Sequence, residues 1–315
     1  MKLVSIPANP VPDDVVTGML KTPDGRSLRF ARFAPPRGRR GTVCVFPGRT
    51  EFIEKYFETV RDLRSRGFAV AILDWRGQGL SERTLPDPLK AHVSDFAEYD
   101  TDLATFMHEV VLPDCPPPLF ALAHSMGGAV LIRAASQGHR WFDRMVLSAP
   151  MIAITGYRLL GVAKASIALL SAFGFSRSYI PGGGDGTVNQ TTPFLGNRLT
   201  SDPVRYARNA AVIEEEPALG VGAPTVGWSH AAFKAMDAFS EVGYAGRIRQ
   251  PIMIIAAGSD TVVSTGATEE FAVRLRAGSH LVLAGAKHEL LMEQDRLRAQ
   301  FWAAFDAFVP GTPLY

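Results

Sequence analysis

The stretch Leu119-Phe120-Ala121-Leu122-Ala123-His124-Ser125-Met126-Gly127-Gly128 constrains this chain more than any other. An apolar run ends abruptly at His124-Ser125-Met126. After two glycines, Ala129-Val130-Leu131-Ile132-Arg133-Ala134-Ala135 has helical apolar spacing. The pattern predicts a strand, a sharp turn and a helix. A serine at such a corner is pushed out of the sheet, so its hydroxyl stands above the strand ends as a candidate nucleophile. The crowded turn needs small residues two before and two after the serine, and Ala123 and Gly127 hold those places. A serine ahead of a helix is also an ordinary N-cap, so this stretch alone leaves both roles open.

The surrounding pattern is of one kind. Residues 15–20 and 28–33 flank the turn signal Thr22-Pro23-Asp24-Gly25 and predict an antiparallel hairpin at a sheet edge. Runs at 42–46, 68–73, 144–150, 251–257 and 280–283 read as further strands, the first and fourth of these being continuously apolar, as in a sheet covered on both faces. Helical patterns follow at about 52–66, 94–111, 267–276 and 294–308. The alternation predicts an α/β fold, a mostly parallel sheet with helices on both faces. At 315 residues and 47% hydrophobic, the chain suffices for one large domain with an insertion.

That insertion is expected at 151–244, where the βα rhythm stops, leaving 1–150 and 245–315 as the core. It holds an apolar segment at 159–175, the loop Pro181-Gly182-Gly183-Gly184 and helical patterns near 203–213 and 226–240. A mostly helical cap is predicted, covering the site and lining a pocket for an apolar substrate. Its aliphatic surface could also rest on a membrane. The glycine run lacks the preceding strand and the lysine of a phosphate loop, which argues against nucleotide binding.

Charge and cysteine content exclude other classes. A net charge of +2 is too mild to imply nucleic acid as a partner. Arg37-Gly38-Arg39-Arg40 reads as a solvated loop, with contact to anionic headgroups the alternative. Cys44 and Cys115 make neither a disulfide framework nor a metal cluster, and Cys44 is expected inside a strand. Residues 1–7 lack the apolar core of a signal peptide, which predicts a cytoplasmic protein. The segment 159–175 contains Lys164 and falls short of the roughly 20 apolar residues of a bilayer span.

Chemistry gathers at the carboxyl edge of the predicted sheet. Pro47-Gly48-Arg49-Thr50-Glu51 follows a strand there, and its amides can point at a ligand. In serine-hydrolase chemistry the N–H groups of Arg49 and Met126 would hold the oxyanion, although Pro47-Gly48 could simply turn the chain. Asp74 precedes the serine in a loop rich in Gly and Arg and is expected to form a structural ion pair with Arg76; His92 is expected to be structural. Asp260 and His288 each follow a strand, in the order nucleophile, acid, base. Singly, Asp260 could cap a helix and His288 could be a loop histidine. Together with Ser125 they predict a catalytic constellation.

These residues resemble those of an α/β-hydrolase of the monoacylglycerol lipase and lysophospholipase group. The resemblance rests on Phe46-Pro-Gly-Arg-Thr-Glu51, Asp74-Trp-Arg-Gly-Gln-Gly-Leu-Ser81, Ala123-His-Ser-Met-Gly-Gly-Ala129, Ser148-Ala-Pro-Met151, Gly258-Ser-Asp260 and Lys287-His288-Glu289. It implies hydrolysis of a small-molecule lipid ester, a lysophospholipid or a monoacylglycerol, with no metal or organic cofactor. Pro47 departs from the His-Gly that many relatives have in this loop, and the cap offers no residue-by-residue match. Two other classes stay open. One is an aminopeptidase of the proline-iminopeptidase kind, with Glu214-Glu215-Glu216 as the anion for a free amino terminus; the other is a non-catalytic hydrolase-like binding protein.

Overall fold

Continuously apolar strands are stable only where both faces of a sheet are covered, and the runs at 42–46 and 251–257 are used in that way. The computed structural model describes residues 3–35, 40–156, 159–187 and 192–310. Residues 37–39 of the basic run fall outside them. The strands β1 (Val15–Lys21), β2 (Ser27–Phe33), β3 (Thr42–Phe46), β4 (Ala69–Leu73), β5 (Leu119–His124), β6 (Arg144–Ser148), β7 (Ile252–Ala257) and β8 (Gly278–Leu283) form one sheet in the order β1-β2-β4-β3-β5-β6-β7-β8. Pairing is parallel from β4 to β8, and the hairpin β1-β2 adds an antiparallel edge. This is the α/β-hydrolase architecture.

Along β3 the side chains alternate between two cores. Val43 and Val45 pack with Phe57, Val60 and Leu63 of the helix Phe57–Ser65 and with Phe301 and Phe305 of the helix Asp295–Phe308. Cys44 and Phe46 face Leu103 and Phe106 of the helix Ala97–Phe106 and Val130 of the helix Met126–Ser136. Each fully buried phenyl ring stabilises the fold by about 2 kcal/mol.

The strand order places the site. From β3 the chain moves outward to β4, then returns to the other side of β3 for β5. Phe46 and Ala123 are register partners, so the loops after β3 and β5 leave side by side at this switch point. Crevices there are where open α/β sheets bind ligands.

Between β6 and β7 the described residues form the longer helices Leu160–Ala172, Pro203–Glu215 and Val226–Ser240. Capping fixes two of their starts: Asp202 accepts from the amides of Val204 and Arg205, and Thr225 accepts from that of Trp228. Glu58, on the helix Phe57–Ser65, joins the helix Pro203–Glu215 to the last helix. Its carboxylate accepts from Arg205 at 2.6 Å, from Arg208 at 2.5 Å and from Arg298 of the last helix at 3.1 Å. No described helix is long and apolar enough to cross a membrane.

The expected Asp74–Arg76 pair does not form. Asp74 lies beside β2, where fully buried Arg29 donates to it at 2.6 Å and to both oxygens of Glu54 at 2.7 Å. Arg76 lies farther along the loop and reaches Asp102, also at 2.6 Å. Asp74 is structural as expected, with a different partner, and it also accepts from the amides of Ile53 and Leu80.

Candidate active site

Ser125 stands at the corner between β5 and the helix Met126–Ser136 with φ +48° and ψ −112°. Such a backbone costs about 1–3 kcal/mol and persists only where its surroundings enforce it. They do so here: the Ser125 amide donates to the Ser148 carbonyl at 3.1 Å, and the Met151 amide donates to the Ser125 carbonyl at 3.0 Å. Gly127 is required because a Cβ there would strike the carbonyl oxygens of Phe46 and Pro47. Ala123 fits the other small position, fully buried.

The structure brings the three residues named from sequence together. His288 Nε2 lies 3.0 Å from Ser125 Oγ, and His288 Nδ1 lies 2.8 Å from Asp260 Oδ2. The other oxygen of Asp260 accepts from the amides of Val262 and Val263 at 2.7 and 3.0 Å. Burial would raise this carboxyl, but His288 and the two amides outweigh it and hold Asp260 below the usual carboxylate range. Asp260 is thus an anion with fixed orientation, and its hydrogen bond to Nδ1 directs the lone pair of Nε2 toward the serine.

The loop after β3 has a specific shape. The Gly48 amide donates to Glu51, and the Thr50 amide, at φ +64°, donates to Gln78 at 2.5 Å. Among the described residues the Arg49 amide between them has no acceptor, and neither has the Met126 amide. Trp75 donates to the Pro47 carbonyl at 2.8 Å and fixes the loop from beneath.

Behind the site lies a buried network that sequence reasoning missed. Glu51 accepts from Tyr56 at 2.6 Å, Lys55 at 2.9 Å and His124 at 3.0 Å, while Lys55 also reaches Glu289 at 2.6 Å. Burial pushes the Glu51 carboxyl up, but His124 and Lys55 more than offset it and hold it well below its ordinary value. Burial would likewise lower His124, yet Glu51 raises it. The second ring nitrogen of His124 faces the His288 carbonyl at 3.3 Å. With acceptors on both nitrogens, the ring is held as imidazolium. The charged residues of Pro47-Gly48-Arg49-Thr50-Glu51 and Lys287-His288-Glu289 were the visible signal, but their pairing is set by the fold.

Ser125 and His288 open into a cavity of about 250 Å³. Met151, Ile154 and Val263 line it together with Trp228, Phe233 and Met236 of the helix Val226–Ser240. Arg49, half-buried, also lines it. Glu214 and Glu215 are exposed, and Glu216 caps the short turn Pro217–Leu219; none of the three lines this cavity. Among the described residues no group of three or more His, Cys, Asp or Glu could hold a metal ion.

Comparison with known proteins agrees with this architecture. Residues 37–295 match the Hydrolase_4 family, described as serine aminopeptidase, S33. The chain is 34% identical over 284 residues to lysophospholipase L2 of Escherichia coli (strain K12), covering 88% of this chain and 82% of that protein. It is 33% identical over 130 residues to monoglyceride lipase of Rattus norvegicus, 41% of each chain. Among solved structures, a soluble variant of monoglyceride lipase from Saccharomyces cerevisiae superposes with a TM-score of 0.73 at 19% identity, covering 93% of this chain and 96% of the other.

Proposed function

The chain belongs to the Hydrolase_4 family, and from that premise we propose that it hydrolyses carboxylic esters of lipids through Ser125, His288 and Asp260. It is a carboxylic ester hydrolase of α/β-hydrolase fold. The reading of the site is carried by the unbroken hydrogen-bonded line from Ser125 Oγ through His288 to Asp260, set on a strained corner at the cavity that Ser125 lines.

In the proposed reaction His288 Nε2 takes the Ser125 proton as Oγ attacks the ester carbonyl. Asp260 holds the tautomer and stabilises the imidazolium. The amides of Arg49 and Met126 receive the oxyanion, an interaction worth about 3 kcal/mol per donor in the transition state. His288 then protonates the leaving alcohol, and an acyl group stays on Ser125. Water, losing its proton to the same imidazole, releases the fatty acid and restores the serine.

Lysophospholipids and monoacylglycerols are the proposed substrates, with the acyl chain in the apolar cavity beneath a helical cap at 151–244. The cap surface is proposed to rest on lipid through Leu159, Val162, Leu169, Phe173 and Phe175, all more than half exposed. The family description keeps an aminopeptidase as the second reading. Against it, the glutamates able to hold an amino terminus lie outside the cavity, and Glu51 and Glu289, which line it, are already paired with Lys55.

The test is a fluorophosphonate probe combined with a substrate panel of lysophosphatidylcholine, monoacylglycerol, p-nitrophenyl esters and aminoacyl amides. Labelling of Ser125 and preference for lipid esters are expected. An unlabelled folded protein would remove the nucleophile, and preference for the amides would replace lipase by peptidase.

A further inference from the structure

Arg49 differs from the buried arginines of this protein. Arg29, Arg64, Arg76, Arg205 and Arg298 are each ion-paired with a carboxylate. Arg49 has no carboxylate within salt-bridge distance among the described residues. One of its terminal nitrogens donates to the Gly222 carbonyl at 2.7 Å, its Nε is buried without a partner, and the guanidinium lies 5.1 Å from the centre of the Trp228 ring. These contacts orient the group on the wall of the cavity that holds Ser125 without neutralising it. The other charges there are compensated, since Glu51 and Glu289 share Lys55 and Glu51 also holds the His124 imidazolium. Desolvation without an anion lowers the guanidinium to about 10. A cation left unpaired in a largely apolar cavity is costly unless an anionic ligand completes it.

We propose that the Arg49 guanidinium is the subsite for the phosphodiester of a lysophospholipid headgroup, an assignment that rests on the ester-hydrolase reading above. Covalent geometry supports the reach. The path from the Arg49 amide nitrogen to its guanidinium carbon contains as many bonds as the path from the scissile carbonyl carbon of a 1-acyl lysophospholipid to its phosphorus. One residue can therefore span the substrate, its amide at the carbonyl oxygen and its planar fork at the phosphate oxygens. A monoacylglycerol fills the acyl cavity and the oxyanion site but leaves the fork without an anion. Arg49 thus discriminates between the two ester classes that the catalytic residues alone would treat alike.

The experiment compares kcat/KM for lysophosphatidylcholine and for a monoacylglycerol of the same acyl chain in wild type, Arg49→Met and Arg49→Lys. The readout is the ratio of the two, which cancels any loss from disturbance of the loop common to both substrates. The ratio should fall by at least about tenfold in Arg49→Met and recover in part in Arg49→Lys. Glycerophosphocholine should compete in the wild type, with an inhibition constant about tenfold higher in Arg49→Met. A ratio unchanged by Arg49→Met overturns the subsite while leaving the hydrolase intact. Inorganic phosphate competing as strongly as glycerophosphocholine would assign the fork to free phosphate and overturn the headgroup. A folded wild type inert toward both esters overturns the hydrolase reading and the subsite with it.

Discussion

The Nε2 atom of His288 stands 3.0 Å from the Oγ atom of Ser125, although 163 residues separate them in the chain. If this contact carries proton transfer, Ser125→Ala should lower kcat on p-nitrophenyl esters by about 10⁶-fold and abolish fluorophosphonate labelling. Asp260→Asn keeps the shape but reverses the hydrogen bond to Nδ1, and should cost about 10⁴-fold. Far-ultraviolet circular dichroism checks that both variants fold. A Ser125→Ala protein retaining wild-type turnover would place the chemistry elsewhere.

Much of this site was readable because its signals are local. The Ser125 corner is announced by an apolar run, a small residue and glycine within one stretch, and Asp260 and His288 are marked by following strands. The rest depends on which loops the sheet brings together. Glu51 and His124 are 73 residues apart and Lys55 and Glu289 are 234 apart, so no sequence period connects them. Asp74 shows the same limit: its structural role was readable, but Arg29 on β2 wins over Arg76 because the pairing of β2 with β4 sets the neighbour.

Glu51 links the proposed oxyanion loop to the base. It accepts from the Gly48 amide and from His124, whose ring lies 4.8 Å from that of His288. Glu51→Gln retains the shape but leaves two buried cations short of a carboxylate, so kcat should fall by about 10- to 100-fold, with a smaller change in KM. The His124 imidazole should also titrate lower, because burial then prevails over the lost anion. NMR titration of the histidine ring protons separates this from a general loss of structure. An unchanged titration and unchanged kcat would make Glu51 dispensable.

Glu58 makes stability depend on acid. Burial raises its carboxyl, but Arg205, Arg298 and Arg208 outweigh this and bring it to about 2 from an ordinary 4.5. A depressed folded value means that the stabilisation is complete above the unfolded value of about 4.5 and is lost as pH falls toward about 2. Allowing for partial solvent screening, Glu58→Gln should lower unfolding free energy near pH 7 by about 1–2 kcal/mol. The wild-type advantage should shrink through that acid window. Urea unfolding at a series of pH values measures both, and a variant equally destabilised at pH 7 and pH 2.5 would contradict the linkage.

Phe233 stands between two cavities. It lines the one containing Ser125 and, with Ile154 and Met236, a neighbouring one of about 210 Å³. Phe233→Ala should join them and lengthen the space open to an acyl chain, at a stability cost of about 3 kcal/mol for the lost ring. Turnover of monoacylglycerols of increasing chain length should then shift toward the longer members. A profile that falls uniformly at every length would show that the ring only supports the packing of the helix Val226–Ser240.

The helix Leu160–Ala172 and the turn after it expose Leu169, at 59% accessible, and Phe173, at 72%. Apolar side chains this exposed gain nothing from the fold, whereas inserting the two into a lipid surface would contribute about 2–4 kcal/mol. The double substitution Leu169→Ser and Phe173→Ser should therefore weaken sedimentation with phosphatidylethanolamine–phosphatidylglycerol vesicles by at least about tenfold. Neither residue lines the cavity that holds Ser125, so turnover of a soluble short-chain p-nitrophenyl ester should persist while turnover of vesicle-bound lysophospholipid falls. Equal vesicle binding by wild type and variant would assign these side chains to no lipid contact, and equal loss on both substrates would show that the fold around the helix Leu160–Ala172 had been disturbed.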